Sequence, residues 1–267
     1  MNPHLARIRL YPIKSLDPLE VDEVVVLRDA GLAHDREFCL LDENGDIVNG
    51  KRFGEQLIPI RSEVNLGLGE VTFHANGTSQ VFRLGNDSGE IESWFSSRLG
   101  RPVTLARNSQ SGFPDDSEAP GPTLVSTATL REVASWFPGS SSGEMRRRFR
   151  ANLEIDGVPA FWEDRLYGPD GKTISFRIGD VTMEGVNPCA RCTVPARNSE
   201  TGRIEESAFA KIFAERRRDT LPSWADKSRF DHYYRLAVNT RIQGSEAGKV
   251  LHRSDEVLFN DRLANHP

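Results

Sequence analysis

Cysteine is scarce, with three in 267 residues. So small and odd a number excludes a disulfide framework and leads us to expect a reducing, cytoplasmic setting. Long apolar runs are also missing. No stretch reaches the ~18 apolar residues that suggest a membrane span, so no membrane partner is expected. The N-terminus mixes His4, Arg7 and Arg9 with apolar residues, which is not the h-region of a secretory signal. Positive charge is not in excess: 34 Lys and Arg against 39 Asp and Glu give a net charge of -5. That argues against a nucleic-acid partner while permitting local basic pockets. There is no internal repeat.

Two of the three cysteines stand together in Asn187-Pro188-Cys189-Ala190-Arg191-Cys192-Thr193-Val194-Pro195. A thiolate is a soft ligand suited to a soft or redox-active metal, and a flanking arginine favours its deprotonation. Two cysteines cannot complete a tetrahedral site, and no other Cys-rich or His-rich segment supplies the rest. If Cys192 binds a metal, most of the remaining ligands must come from a cofactor. Cys39, among apolar neighbours, reads as a core residue, and Cys189 as a small buried hydrophobe.

The first third reads as strands. Leu5 to Ile13 alternates, Val21 to Leu27 is β-branched, and Asn44-Gly45 and Asn76-Gly77 are hairpin turns between apolar runs. Ile91, Trp94, Phe95 and Leu99 then take helical spacing, with Asp87 or Ser88 as N-cap and Gly100 as the stop. A polar run rich in Pro, Gly, Ser and acid reads as a linker or mobile loop over 106–122. Beyond it, Thr123 to Val125 is a strand. A helix carries Leu130, Val133, Ala134 and Phe137, with Thr129 and Glu132 spaced as a capping box. Ala151 to Ile155, Ile174 to Ile178, Val181 to Val186, Tyr233 to Val238 and Glu256 to Phe259 read as further strands, and Phe209 to Phe213 as a short helix. The expected fold is mainly β with short helices, barrel-like rather than doubly wound. The expected division is 1–105, a linker at 106–122, and 123–262.

Polar clusters at strand ends each have a bland reading. Lys14-Ser15 ends a strand at a turn, Asp35-Arg36 is a surface ion pair, and Arg146 to Arg150 is a solvated basic face. Ser126 is a helix N-cap. A helix start is also a ready phosphate site. Together, Lys14, Ser15, Arg36, Ser126 and Arg150 would make a phosphate-binding pocket.

Tyr11-Pro12-Ile13-Lys14-Ser15, followed by Asp35-Arg36-Glu37-Phe38, resembles the MOSC N-terminal β-barrel domain. The MOSC domain itself is matched by Leu124 to Leu130, Arg148-Phe149-Arg150-Ala151-Asn152-Leu153, Ala160 to Asp164, Ile178-Gly179-Asp180-Val181, and Cys189-Ala190-Arg191-Cys192 with Thr201-Gly202 downstream. The ordered set is similar to the mitochondrial amidoxime reducing components and their bacterial homologues. That resemblance implies a molybdenum-pterin cofactor (Mo-molybdopterin) and reduction of small N-hydroxylated compounds such as amidoximes. Cys192 is then the molybdenum ligand and catalytic centre, with the pterin dithiolene adding two sulfurs. Lys14, Ser15, Arg36, Ser126, Thr127, Arg150, Asn152, Ala190, Arg191 and Tyr233 match positions that contact the cofactor. No cysteine cluster could hold an iron–sulfur centre, so electrons are expected from a separate donor, a ferredoxin- or flavin-type reductase. The resemblance leaves two alternatives: a sulfur carrier using a Cys192 persulfide, and a noncatalytic pterin-binding module.

Overall fold

The structure, a computed structural model, describes residues 2–29, 31–204 and 208–259. The alternating N-terminal run forms β1 (His4–Leu10), which buries Leu5, Ile8 and Leu10. The β-branched run after it is not one strand. It divides at Asp22 into β2 (Leu19–Val21), paired with β1, and β3 (Glu23–Val25), paired with β14 (Val250–His252). β4 (Phe38–Asp42) pairs with β8 (Val103–Arg107). The turn at Asn44-Gly45 forms as expected, with the Asp42 carboxylate accepting the N–H groups of Asn44 and Asp46. Among the described residues the returning chain makes one bridge, Ile47 to Leu41. There Asn49 starts a helix, α1 (Gly50–Leu57), its side chain accepting from the Lys51 and Arg52 N–H groups. The sequence pattern does not announce α1, because it is short and carries Gly50 and Gly54.

Asn76 and Gly77, both at positive φ, turn β6 (Glu70–Ala75) into β7 (Thr78–Arg83), and β5 (Arg61–Asn65) flanks β6. α2 (Ser88–Leu99) packs Trp94 and Phe95 against Phe73 of this small sheet at ring distances of 5.1 and 5.0 Å. Gly100 ends α2 in the left-handed conformation, as its position suggests. Asp87 occupies the N-cap position, but its carboxylate accepts from the Arg83 N–H instead of capping α2.

The main sheet runs β15-β11-β12-β13-β9-β10-β1-β2. Its later strands are β9 (Leu124–Ser126), β10 (Leu153–Asp156), β11 (Ile174–Ile178), β12 (Val181–Ala190), β13 (Arg235–Arg241) and β15 (Val257–Phe259). Only β9 and β10 are parallel. A single bridge, His4 to Glu256, brings the β15 side back towards β1, and no continuous ladder closes a barrel among the described residues. β12 extends past the expected end at Val186 to Ala190, with register shifts on either side of Pro188. Proline cannot donate to the ladder, which is why the sequence reads as ending early.

α3 (Thr127–Ser135), α4 (Ser142–Phe149) and α5 (Phe209–Asp219) share a second core with Phe137, Phe149, Phe209 and Phe213. Ser126, not Thr129, caps α3: its hydroxyl accepts from the Thr129 N–H, while Glu132 takes the Trp136 indole N–H. Because β1 and β3 pair with strands of the second half, strand pairing does not divide at 106–122. The split into 1–105 and 123–262 remains a proposal about folding units, and positions 260–262 lie outside the described residues. The polar segment itself is fastened on both sides. Asn108 N–H donates to Glu37, Phe113 N–H to Arg36 and Gly121 N–H to Thr240. No helix of the described residues is long and apolar enough to cross a membrane.

Charge is buried beneath α3. Thr129 donates its hydroxyl to Glu163 at 3.0 Å, and Asp164 pairs with Arg217, all of them nearly inaccessible. Burial, with Asp164 adjacent, pushes the Glu163 carboxyl from 4.5 up to about 7. The folded state therefore keeps a proton that the unfolded chain has lost between those pH values. Stability contributed by that proton is complete below about pH 4.5 and disappears as pH rises through 7. Glu163→Gln, which cannot ionise, should gain about 3 kcal/mol on wild type between pH 4.5 and pH 8. Urea unfolding at the two pH values measures this; a pH-independent difference would contradict it.

Candidate functional site

One cleft collects Lys14, Ser15, Arg150, Arg191 and Cys192 from distant parts of the chain. Its walls also bring Arg9, Lys51, Arg61, Arg148 and Arg197 against two acids among the described residues, Asp17 and Asp115. A strongly cationic cleft in a chain of net charge -5 is a local feature that composition does not reveal.

β1 delivers the first group. As it ends, the Tyr11 N–H donates to the Asp35 carboxylate and the Lys14 N–H to Phe38, so the chain turns at Ser15 with φ 75°. Arg36, at φ 51°, and Arg150, at φ 54°, are also left-handed. Side chains with a Cβ rarely adopt this region and pay for it in backbone strain, which concentrates at functional sites. Three of the sequence-selected residues are thus held where glycine would be easier.

Arg150 is the clearest case. It ends α4 in the left-handed position usually given to glycine, its N–H donating to Arg146. Its guanidinium lies 4.1 Å from the Tyr11 ring centre and donates to the Leu16 carbonyl at 2.6 Å. No carboxylate lies within salt-bridge distance among the described residues. Burial pushes its pKa below the ordinary arginine value, and Arg36 and Arg9 act in the same direction. A cation in that position is short of an anion. Its neighbours are not the solvated basic face expected: Arg146 binds Glu154 at 2.6 Å, and Arg147 and Arg148 both reach Glu144.

Asp35-Arg36 is not a surface pair either. The two side chains are 8% and 15% exposed and meet at 2.9 Å. Against the cost of burial, Asp35 and Asp115 hold the Arg36 guanidinium above its ordinary pKa. Arg36 stands beside the cleft rather than in its lining.

The cysteine loop follows the end of β12. Arg191 is fixed by its N–H to the Tyr234 carbonyl, and by its guanidinium to the Phe149 carbonyl at 2.5 Å and the Cys189 sulfur at 3.1 Å. Cys189 is therefore half-buried, packed against the core shared by α3, α4 and α5, and also accepts from Arg191. Cys192 is half-buried, unpaired with another cysteine, and lines the cleft. Burial holds the Tyr234 phenol protonated, and its hydroxyl finds no hydrogen-bond partner among the described residues. The opposite wall is α1 and the 194–203 segment. Gly202 is left-handed, and a Cβ there would run into the Gly54 carbonyl, which gives the glycine of Thr201-Gly202 a packing reason.

Other expected contacts are not brought to the cleft. Ser126 is fully buried, its hydroxyl engaged with Thr129. Thr127 donates to Glu154. Asn152 is a buried strut, donating to the Arg9 carbonyl and Asp35 and accepting from Thr123. Ala190 lines a neighbouring pocket with Asp116 and Asn187, and Tyr233 stacks on Phe230 at 5.6 Å. Sequence reasoning missed Tyr11 as the platform for Arg150, Lys51 at the start of α1, and Asp115. Only Tyr11 carried a signal, as part of the Tyr-Pro-Ile-Lys-Ser run.

No group of three His, Cys, Asp or Glu side chains among the described residues could hold a metal. A metal at Cys192 would need ligands from a bound group. The cleft fits an anionic one: Arg150 lacks an acid, and the Arg191 and Arg197 Nε–H groups are buried without partners. The chain is 30% identical over 243 residues to a molybdenum cofactor sulfurase of Drosophila melanogaster, covering 79% of this chain and 30% of that protein. It is 25% identical over 261 residues to the molybdenum cofactor sulfurase of Homo sapiens, covering 79% and 28%. The chain thus spans about 30% of the length of these relatives. A solved structure described as the crystal structure of an hypothetical protein aligns over 96% of this chain and 68% of its own, with TM-score 0.38 and 12% identity. Residues 2–102 match the MOSC N-terminal beta barrel domain and residues 123–248 match the MOSC domain. The chain is a MOSC-domain protein, related to molybdenum-cofactor proteins and carrying the MOSC N-terminal domain ahead of the MOSC domain.

Proposed function

We propose that the cleft holds a molybdenum-pterin cofactor and that the chain reduces small N-hydroxylated compounds with electrons from a separate redox protein. The observation that carries this is Arg150: strained, acid-free and in one cleft with Cys192. In this reading Arg150 and Lys14 hold the cofactor phosphate, with Arg36 behind them. Cys192 supplies the protein thiolate to the metal. Arg191 fixes the loop so that Cys192, not Cys189, remains open to the cleft. Tyr234, protonated and beside this loop, is a proton-bearing group available near Cys192. When bound, the cofactor supplies two-electron oxygen-atom transfer, while the chain positions it and tunes its electronics.

The relatives named molybdenum cofactor sulfurase favour a second reading, in which a Cys192 persulfide carries sulfur to a metallosulfur centre. An anaerobic assay separates the two, using protein from a cofactor-competent host, benzamidoxime and a reduced viologen. The reductase reading expects turnover by molybdenum-loaded protein. No turnover, with persulfide recovered on Cys192, would replace it with the sulfur-carrier reading.

A further inference from the structure

The Lys14 ammonium has three N–H donors, and one short segment takes all of them. The carbonyls of Phe113 and Pro114 accept at 2.8 and 3.4 Å, and the Asp115 carboxylate at 2.9 Å. The second Asp115 oxygen faces the Arg36 Nε at 3.9 Å. Lys14 is almost inaccessible, whereas the Asp115 side chain is 71% exposed and enters from the solvent side. Against the desolvation that would raise it, Arg36 and Lys14 hold this carboxyl below its ordinary range.

The three acceptors are not equally replaceable. Phe113 is pinned by its N–H to the Arg36 carbonyl, so the backbone acceptors cannot leave without moving the chain. The carboxylate hangs on one rotatable side chain. Lys14 therefore cannot reach a ligand phosphate while Asp115 is in place, and Asp115 can depart alone. Its position in the linings of both the cleft and the neighbouring pocket leaves it space to swing.

We infer that Asp115 is a specificity-determining residue of the cleft, a tethered carboxylate occupying the anion seat on Lys14 and Arg36 until a ligand phosphate displaces it. This rests on the phosphate reading of the cleft and not on molybdenum. Tethering gives the carboxylate a high effective concentration, so singly charged anions compete poorly. A phosphate brings more charge and three acceptor oxygens.

The probe is inorganic phosphate, titrated calorimetrically at pH 7.5 and fixed ionic strength. Asp115→Asn should bind it about tenfold more tightly than wild type, because the competent state is no longer masked. Glu118→Gln removes the same charge from the same loop and should leave affinity unchanged. The gain should vanish in a Lys14→Gln background. If Asp115→Asn folds poorly, Asp115→Ser should show the same gain. Equal or weaker binding by the Asp115 variants overturns the inference, as does absence of phosphate binding by every protein. Molybdenum content of the purified protein is read separately. Molybdenum present without the gain sinks this inference alone, and the gain without molybdenum sinks the functional reading alone.

Discussion

Cys192→Ser should lose at least about 100-fold in reductase activity while keeping wild-type stability. Removing even an outer-shell partner of a metal ligand costs 10–100-fold, and a serine hydroxyl is a far poorer donor to a soft centre than a thiolate. The fold should tolerate the change, because Cys192 is half-buried in a loop beyond β12 and belongs to none of the three buried cores. Cys189→Ser behaves differently. Its sulfur accepts from Arg191, a role that a hydroxyl can also fill, so activity should stay within a few-fold of wild type. Parallel rate and thermal-unfolding measurements check both. Equal losses for the two variants would contradict this division of roles between Cys192 and Cys189.

Arg150→Gly should separate binding from stability. Glycine relieves the left-handed backbone at φ 54°, worth about 1 kcal/mol, and removes a cation with no acid partner. Lost in exchange are the Tyr11 contact and the bond to Leu16, about 1 kcal/mol each. Stability should therefore lie within about 1 kcal/mol of wild type by urea unfolding. Cofactor affinity should fall about 100-fold, since truncating one partner of a desolvated charge pair costs about 2–5 kcal/mol. Pterin fluorescence after oxidative release measures retention. Full retention would remove Arg150 from the site.

The strands at Leu5, Phe38, Ile174 and Val181, both Asn-Gly turns and helix α2 were legible because their signals are local. α1 was not, since glycine at two of its positions hides a helix made by Asn49 capping and by packing against Val194 and Arg197. The β1-to-β10 pairing that joins the two halves involves residues far apart in sequence, for which no period exists. The site divides in the same way. Lys14, Ser15, Arg150, Arg191 and Cys192 could be named from motifs, and the structure places them in one cleft. Ser126 and Asn152 could be named equally well, but their hydrogen bonds are spent inside the protein, which a motif does not show. Asp115 was hidden for the opposite reason: it lies in a polar run whose composition reads as a linker, and only the fold carries it to Lys14.

If Cys192 is the protein's ligand to a bound molybdenum cofactor, its thiolate must appear in the metal's coordination. X-ray absorption at the molybdenum edge, on wild type and Cys192→Ser from a cofactor-competent host, reads that coordination. Wild type should show one more sulfur on molybdenum than any metal the variant retains. Identical sulfur coordination in the two proteins would contradict it.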